Sequence, residues 1–415
     1  MKKFLQSDGM RTVLASLLSI LIGMLAGGVV IFAVGVSTPS LGINTVWDGI
    51  RLVVGGLFVT GRDATGALTF GFNPQMMGNM LFRATPLILT GLSVALAYKT
   101  GLFNIGAPGQ YLAGTAATLF IALSLGTGCV KTEGLVEPFL GNANNFIAGQ
   151  VGMFPPWLVW TLALIGGMIA GALWGAIPGL FKALLNVNEV LACIMTNWIA
   201  ANLVTWVFDI SNLKNLVENT KIGYVYKTSF NGVATSKMGL DQVFPGSQVN
   251  GGILIAILLA VVVYIIMNKT TFGFELKACG SNRFAARYAG IKDKRSIVVS
   301  MALAGALAGA AGSLYFLSGN TEFFWSTYQS LPAVGFNGIP VALLAGSNPI
   351  GVVFAGMFMS MLDICGLQLT NLTGYNEFIT DVIIAVIVYL AAFSLVIKMV
   401  LARLGKKRSG KETVK

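Results

Sequence analysis

The chain has 415 residues, of which 55% are hydrophobic and only 10% charged. Several apolar runs exceed the ~18 residues that mark a membrane-spanning helix, and they are apolar all round where barrel strands would alternate, which favours an all-α polytopic membrane protein over a β-barrel. The net charge of +11 gathers at the ends of apolar runs rather than on a nucleic-acid-binding surface, and the absence of histidine excludes histidine-dependent metal sites and general bases.

Lys2, Lys3 and Arg11 precede the first apolar run, 13–36. No convincing small-x-small cleavage site lies between Gly35 and Pro39, so the run reads as a retained span rather than a removed signal. Seven basic residues from Lys398 to Lys415 follow the last run and form a basic tail, 400–415. The positive-inside rule places both termini in the cytoplasm and requires an even number of spans. Ten are predicted: 13–36, 78–98, 103–126, 157–181, 189–209, 250–268, 296–317, 331–346, 349–365 and 378–399.

Two stretches depart from regular spans. Residues 99–110, KTGLFNIGAPGQ, form a tight connection whose Gly and Pro imply irregular backbone near the membrane. Residues 331–346, LPAVGFNGIPVALLAG, cover only about 24 Å as a helix, against a hydrocarbon core of ~30 Å. With Pro332 and Pro340 they read as a broken or half-length helix, tolerated where protein or a water-filled cavity surrounds it. The polar loop 210–249 is expected outside, either as a small cap or receiving surface, or as a tolerated insertion. The four cysteines are too scattered for a disulfide framework or metal cage; Cys193, Cys279 and Cys365 lie in or beside spans and Cys129 near an outer loop.

Polar groups within spans are costly and point to a pathway or a packed interior. Arg83, Asn104, Gln110, Asn188, Glu189, Asn197, Asn202, Asn337, Asp363 and Asp381 are the main ones. Asn197 lies deep in ACIMTNWIAANLV beside Trp198; its amide can pair with a polar ligand edge while the indole stacks on an aromatic or sugar face, or it can bond to a neighbouring helix. Phe336 and Asn337 sit where the short segment frees backbone groups, and Asn104 and Gln110 flank Gly106 and Gly109. These six, Asn104, Gln110, Asn197, Trp198, Phe336 and Asn337, are the expected substrate path. No chain of buried carboxylates runs through the spans, which disfavours an ion-coupled secondary carrier. With no GxxxxGK[ST] phosphate loop, any ATP is bound by another subunit and this chain carries no cofactor.

The segment 274–295 breaks the apolar pattern most sharply. Its small residues, interleaved with Lys277, Arg283, Arg287, Lys292, Lys294 and Arg295, suit a short compact helix pressed against a soluble protein in the cytosol.

LFNIGAPGQYLAG, NEVLACIMTNWIA, GFELKACGSNRFAARYAGI and GFNGIPVALLAGSNPIG, in this order, resemble the permeases of ABC importers of the branched-chain amino acid and simple-sugar superfamily, and most closely the nucleoside branch. The resemblance spans about 78–395 and implies a single transmembrane permease domain over 1–415. It implies as partners ABC ATPase subunits, a second homologous permease, an extracytoplasmic solute-binding lipoprotein and a small-molecule substrate, in the bacterial plasma membrane. The pattern G-x-N-x-x-A-A-x-Y-x-G-I is similar to the family's ATPase-docking helix and falls on Gly280, Asn282, Ala285, Ala286, Tyr288, Gly290 and Ile291, with Arg283 on its rim. Pro108 and Pro340 depart from the family's usual Glu and Ala. The expected function is the membrane subunit of an ATP-driven importer of nucleosides; a simple-sugar or other polar-solute permease is the alternative, since amides and aromatics suit both.

Overall fold

The structure, a computed structural model, describes residues 8–38, 42–125, 154–211, 213, 223–325 and 330–392. Lys2, Lys3, Cys129, the basic tail 400–415 and the end of the last predicted span lie outside the described residues. The architecture is helical. It begins with α1 (Asp8–Ser37), α2 (Ile43–Gly55) and a hairpin of β1 (Val59–Arg62) and β2 (Leu68–Phe70), then α3 (Pro74–Lys99), α4 (Ala107–Leu125), α5 (Pro156–Leu185) and α6 (Glu189–Asp209). After β3 (Tyr224–Val225) and the short α7 (Leu240–Val243) come α8 (Gly252–Lys269), α9 (Thr271–Ser281), α10 (Arg283–Tyr288) and α11 (Asp293–Phe316). Beyond β4 (Phe323–Phe324) the chain closes with α12 (Ala333–Leu344), α13 (Pro349–Leu372) and α14 (Glu377–Ala392).

Among the described residues, α3, α5, α6, α8, α11 and α13 are long and apolar enough to cross a membrane; Leu21–Ser37 within α1 and α12 are shorter apolar helices. The helix ends follow local chemistry. The Asn73 side chain accepts from the Met76 N–H before Pro74, and Asn348 accepts from the Ile350 and Gly351 N–H groups before Pro349, so α3 and α13 both start on an Asn cap and a first-turn proline. Asn188 caps α6 in the same way, and Glu189 meets Lys182 at 3.0 Å across the α5–α6 turn. These two polar residues of the predicted span thus serve its end.

Position in the bundle separates the spans. The apolar window of α3 is 83% buried, that of α5 only 28%, so α3 is the central helix and α5 shows most of its surface outward. What α5 does bury is a glycine seam against α11. Gly167, Gly171 and Gly175 recur every four residues and face Gly305 and Gly309, so closely that a Cβ on Gly171 would stand 2.8 Å from the Gly309 Cα. Without a hydrophobic force between helices in lipid, such backbone contact and hydroxyl bonds hold helices together. Thr118 of α4 joins the seam, 2.7 Å from Ser313 Oγ and donating to the Ala163 carbonyl at 3.1 Å.

At the ends opposite α9 and α10 lies structure the span pattern did not announce. α2 buries Val46, Gly49, Leu52 and Val53 and leaves its other face exposed, and Arg62 of the hairpin pairs with Asp48 at 2.8 Å while donating to the Leu372 carbonyl. The Thr65 hydroxyl, then the Ala67 N–H, hold the Asp63 carboxyl at the hairpin tip below its ordinary pKa. The described part of 210–249 is a folded cap: β3 pairs with β4, and Thr228, Ser229 and Thr235 bond the carbonyls of Phe316, Gly319 and Leu317. Residues 331–346 form a half-length helix, one of the two forms expected from the sequence; the other, a broken helix, is not what is seen, since α12 is unbroken. Pro340 lies inside α12, where it removes the N–H that the Phe336 carbonyl would accept, without ending the helix.

Candidate functional site

Residues 100–106 carry the chain between α3 and α4 without regular hydrogen bonds, and three buried amides hold them. Asn104 donates to Ser93 Oγ at 3.0 Å and to Gln110 Oε1 at 2.8 Å, while its own Oδ1 accepts from Gln110 Nε2 at 2.9 Å and from the Gly106 N–H at 3.1 Å. Asn197 of α6 reaches across, accepting from the Gly109 N–H at 2.9 Å and donating to the Ile105 carbonyl at 3.0 Å. All three are at most 2% exposed. An amide offers two donors and two acceptors, so these bonds leave Asn104 both donors engaged and turn Asn197 onto backbone that would otherwise be orphaned.

Of the six expected path residues, the structure therefore brings together Asn104, Gln110 and Asn197. Trp198 stands apart, 54% exposed on the outer face of α6 with Met195, Ile199 and Trp206. Phe336 and Asn337 sit on α12, whose Gly335 presses on Pro108 and whose Gly338 presses on Thr90; a Cβ at Gly335 would stand 2.5 Å from the Pro108 Cα. Phe336 is exposed and Asn337 half-buried beside that contact. A second set of polar residues lies nearer the start of α3. Arg83 is nine residues from the start of α3 and Asp363 nine from the end of the adjacent α13, which puts both at about 13 Å depth from the same end. Arg83 and Asp381 of α14 are exposed, and a charge on an apolar helix requires a cavity or a protein partner.

The amide cluster yields an expected result of its own. Asn197→Ala leaves the Gly109 N–H and Ile105 carbonyl unpaired at about 1–3 kcal/mol each, so thermal unfolding in detergent should shift down markedly. Uptake lost with an unchanged melting temperature would instead make Asn197 a substrate ligand.

At the other end of the bundle, 271–291 is an elbow of two helices, which corrects the expectation of one compact helix. Asn282 is extended (φ −154°), and its side chain accepts from the Ala285 N–H at 3.0 Å, so it ends α9 and caps α10. Gly290 stops α10 in the left-handed region (φ +84°), with the Ile291 N–H returning to the Ala286 carbonyl. Asp293 accepts from Arg283 Nε at 2.6 Å and Arg287 Nη2 at 2.7 Å, and its carboxylate holds the Arg287 guanidinium above its ordinary pKa. Gly280 packs on the Thr100–Gly101 backbone, where a Cβ would stand 2.5 Å from the Thr100 carbonyl carbon, so the elbow rests directly on the segment that the amides secure.

Of the pattern residues Ala286 is buried, Gly280, Arg283 and Ile291 are half-buried, and Asn282, Ala285, Tyr288 and Gly290 are exposed. Ala286 is 3% exposed, whereas Tyr288 is 95% and Phe284 72% exposed. Phe284 escaped the motif reading; its signal was the four-residue spacing to Tyr288, which puts two aromatic rings on one helical face. Between α9 and the start of α11 opens a cleft of about 400 Å³, lined by Phe272, Glu275, Ile291, Lys292 and Arg295 among others.

Residues 76–392 match the family model of the branched-chain amino acid transport system permease component. The chain belongs to this permease family. It is a transport subunit and a multi-pass protein of the plasma membrane. The permease is 34% identical over 394 residues to the guanosine ABC transporter permease protein NupP of Bacillus subtilis, covering 95% of this chain and 97% of that one. It is 34% identical over 405 residues to the nucleoside ABC transporter permease protein NupB of Lactococcus lactis, covering 98% and 97%. The glucose ABC transporter permease protein TsgB13 of Haloferax volcanii is 29% identical over 349 residues, 82% of each chain. No solved structure matches the permease.

Proposed function

We propose that the permease is a membrane subunit of an ATP-driven importer that carries nucleosides into the cell, with ten spans and both termini in the cytoplasm. Nearly end-to-end similarity to two nucleoside permeases carries the substrate class. In this reading the permease pairs with a second, homologous permease, a solute-binding lipoprotein delivers the nucleoside to the α2, hairpin and cap side, and ATPase subunits bind ATP and dock on the elbow. Asn104, Gln110 and Asn197 act as positioning residues that keep the α3–α4 connection in register with the elbow. Phe336, Asn337 and the Phe336 carbonyl freed by Pro340 offer a ring face, an amide and an acceptor to a base and its ribose. Trp198 lies on the outer face of α6 and would touch substrate only if a partner chain covers that face. The charges of Arg83, Asp363 and Asp381 complete the outward half of the path.

Similarity to a glucose permease supports a second reading, a simple-sugar importer of the same architecture. Uptake of radiolabelled inosine, guanosine, ribose and glucose in cells with an intact or an inactivated ATPase separates them. The expected result is ATPase-dependent uptake of both nucleosides with little sugar uptake. Sugar uptake alone overturns the nucleoside assignment, and uptake indifferent to the ATPase overturns the importer.

A further inference from the structure

A small cleft on the elbow side of the bundle has no part in the reading above. It lies where the end of α3, the end of α8, α9 and the turn into α13 meet, and holds about 60 Å³. Ala95, Leu96, Met267 and Pro349, all buried, form an apolar floor, and Lys99, Lys277, Asn268 and Asn348 stand on its rim. Neither lysine is paired with a carboxylate among the described residues; Lys277 reaches only the Asn268 side-chain oxygen, at 3.5 Å.

Ser347 adds an independent observation. It lines the cleft at 3% exposure, its hydroxyl has no hydrogen-bond partner among the described residues, and it is held at φ +55°, a backbone region that serine occupies at a cost. Glycine would suit that backbone better, and serine adds a hydroxyl there. The positive end of the 24-residue α13 opens on the same point, although its first amides are already taken by Asn348.

Two ammonium groups without a carboxylate partner and a hydroxyl that makes no hydrogen bond among the described residues, above an apolar floor, describe a receptor for a phosphate group attached to something apolar. We propose that this cleft binds the phosphate of an anionic phospholipid of the inner leaflet, with Lys99, Lys277 and Ser347 on the phosphate and the acyl chains outside the cleft, along the neighbouring apolar helix surface. Lys277 belongs to α9 and Ser347 to the turn between α12 and α13, so a bound lipid ties the elbow to the short helix across the bundle. The inference stands on the lysine-bearing end being cytoplasmic and is independent of what the permease transports.

The test uses the full-length permease in mild detergent with equal amounts of phosphatidylglycerol and phosphatidylcholine, and reads retained lipid by native mass spectrometry. Preferential retention of phosphatidylglycerol is expected, falling by about thirtyfold in Lys99→Gln/Lys277→Gln, the factor that two lysines near an anionic surface supply. Ser347→Gly removes the unfavourable backbone together with the hydroxyl; it is expected to keep or raise the melting temperature while losing retention several-fold. A preference for phosphatidylglycerol unchanged in the lysine variant overturns the proposal, as does a Ser347→Gly chain that retains the lipid fully. Inorganic phosphate that binds wild type but not the lysine variant, with lipid retention equal in the two, puts a free phosphate in the cleft and overturns the lipid assignment.

Discussion

Gly309→Leu is expected to abolish the folded permease, while Gly28→Leu leaves it intact. Both place the same side chain on an apolar helix, yet a Cβ at Gly28 meets nothing within 4 Å, whereas at Gly309 it runs into α5, with the Gly171 Cα 3.1 Å away. The obstacle is backbone on both sides, since Gly305 and Gly309 face Gly167, Gly171 and Gly175, so no side chain can rotate out of the way. Pushing α5 from α11 also separates Thr118 from Ser313 and lifts α4, whose Gly114 leans on the Gly309 carbonyl. Overpacking a close-packed interior costs up to about 3 kcal/mol when the surroundings yield, and more is expected where backbone must move. Size-exclusion profiles and melting curves of the two variants in the same detergent decide it. Equal monodisperse peaks and equal uptake would show that the α5–α11 contact is not what holds these spans together.

Much of this was legible because lipid imposes a simple grammar. Apolar length announced α3, α5, α6, α8, α11 and α13, and a run of charges among small residues announced the elbow. The failures have physical causes. α2 has 13 residues and one buried face, too short and too amphipathic for a search tuned to spans. The cap on 316–319 is built from long-range bonds between Thr or Ser hydroxyls and carbonyls some 90 positions away, which no local pattern carries. Asn197 could be placed inside the bundle from its apolar neighbours, but whether its amide turns to ligand or to protein depends on Gly109 and Ile105, far away in the chain. Pro340 suggested a broken helix because proline removes one bond; the packing of Gly335 and Gly338 on α4 and α3 is extensive enough to keep α12 helical around that loss.

Phe284→Ala/Tyr288→Ala is expected to uncouple the transporter without unfolding it. Within α10 the buried side is Ala286 and the anchored side is Arg283 and Arg287 on Asp293, so the remaining face is the one carrying the two exposed rings. Large aromatic side chains at four-residue spacing on a rigid, capped helix are the chemistry of an interface anchor, entering a pocket with little entropy left to lose. If each contributes about 2 kcal/mol, the lower bound for such anchors, losing both weakens ATPase docking by about 4 kcal/mol, or about a thousandfold. Neither ring is needed for the fold, so insertion and melting temperature should match wild type. Ala286→Trp offers the contrast, because its side chain points into the elbow and should lower thermal stability along with uptake. Co-purification of the ATPase with each variant, measured beside uptake, distinguishes the cases. A double variant that still holds the ATPase and transports at the wild-type rate would move the docking surface off α10, leaving the cleft between α9 and α11 as the next surface for mutagenesis.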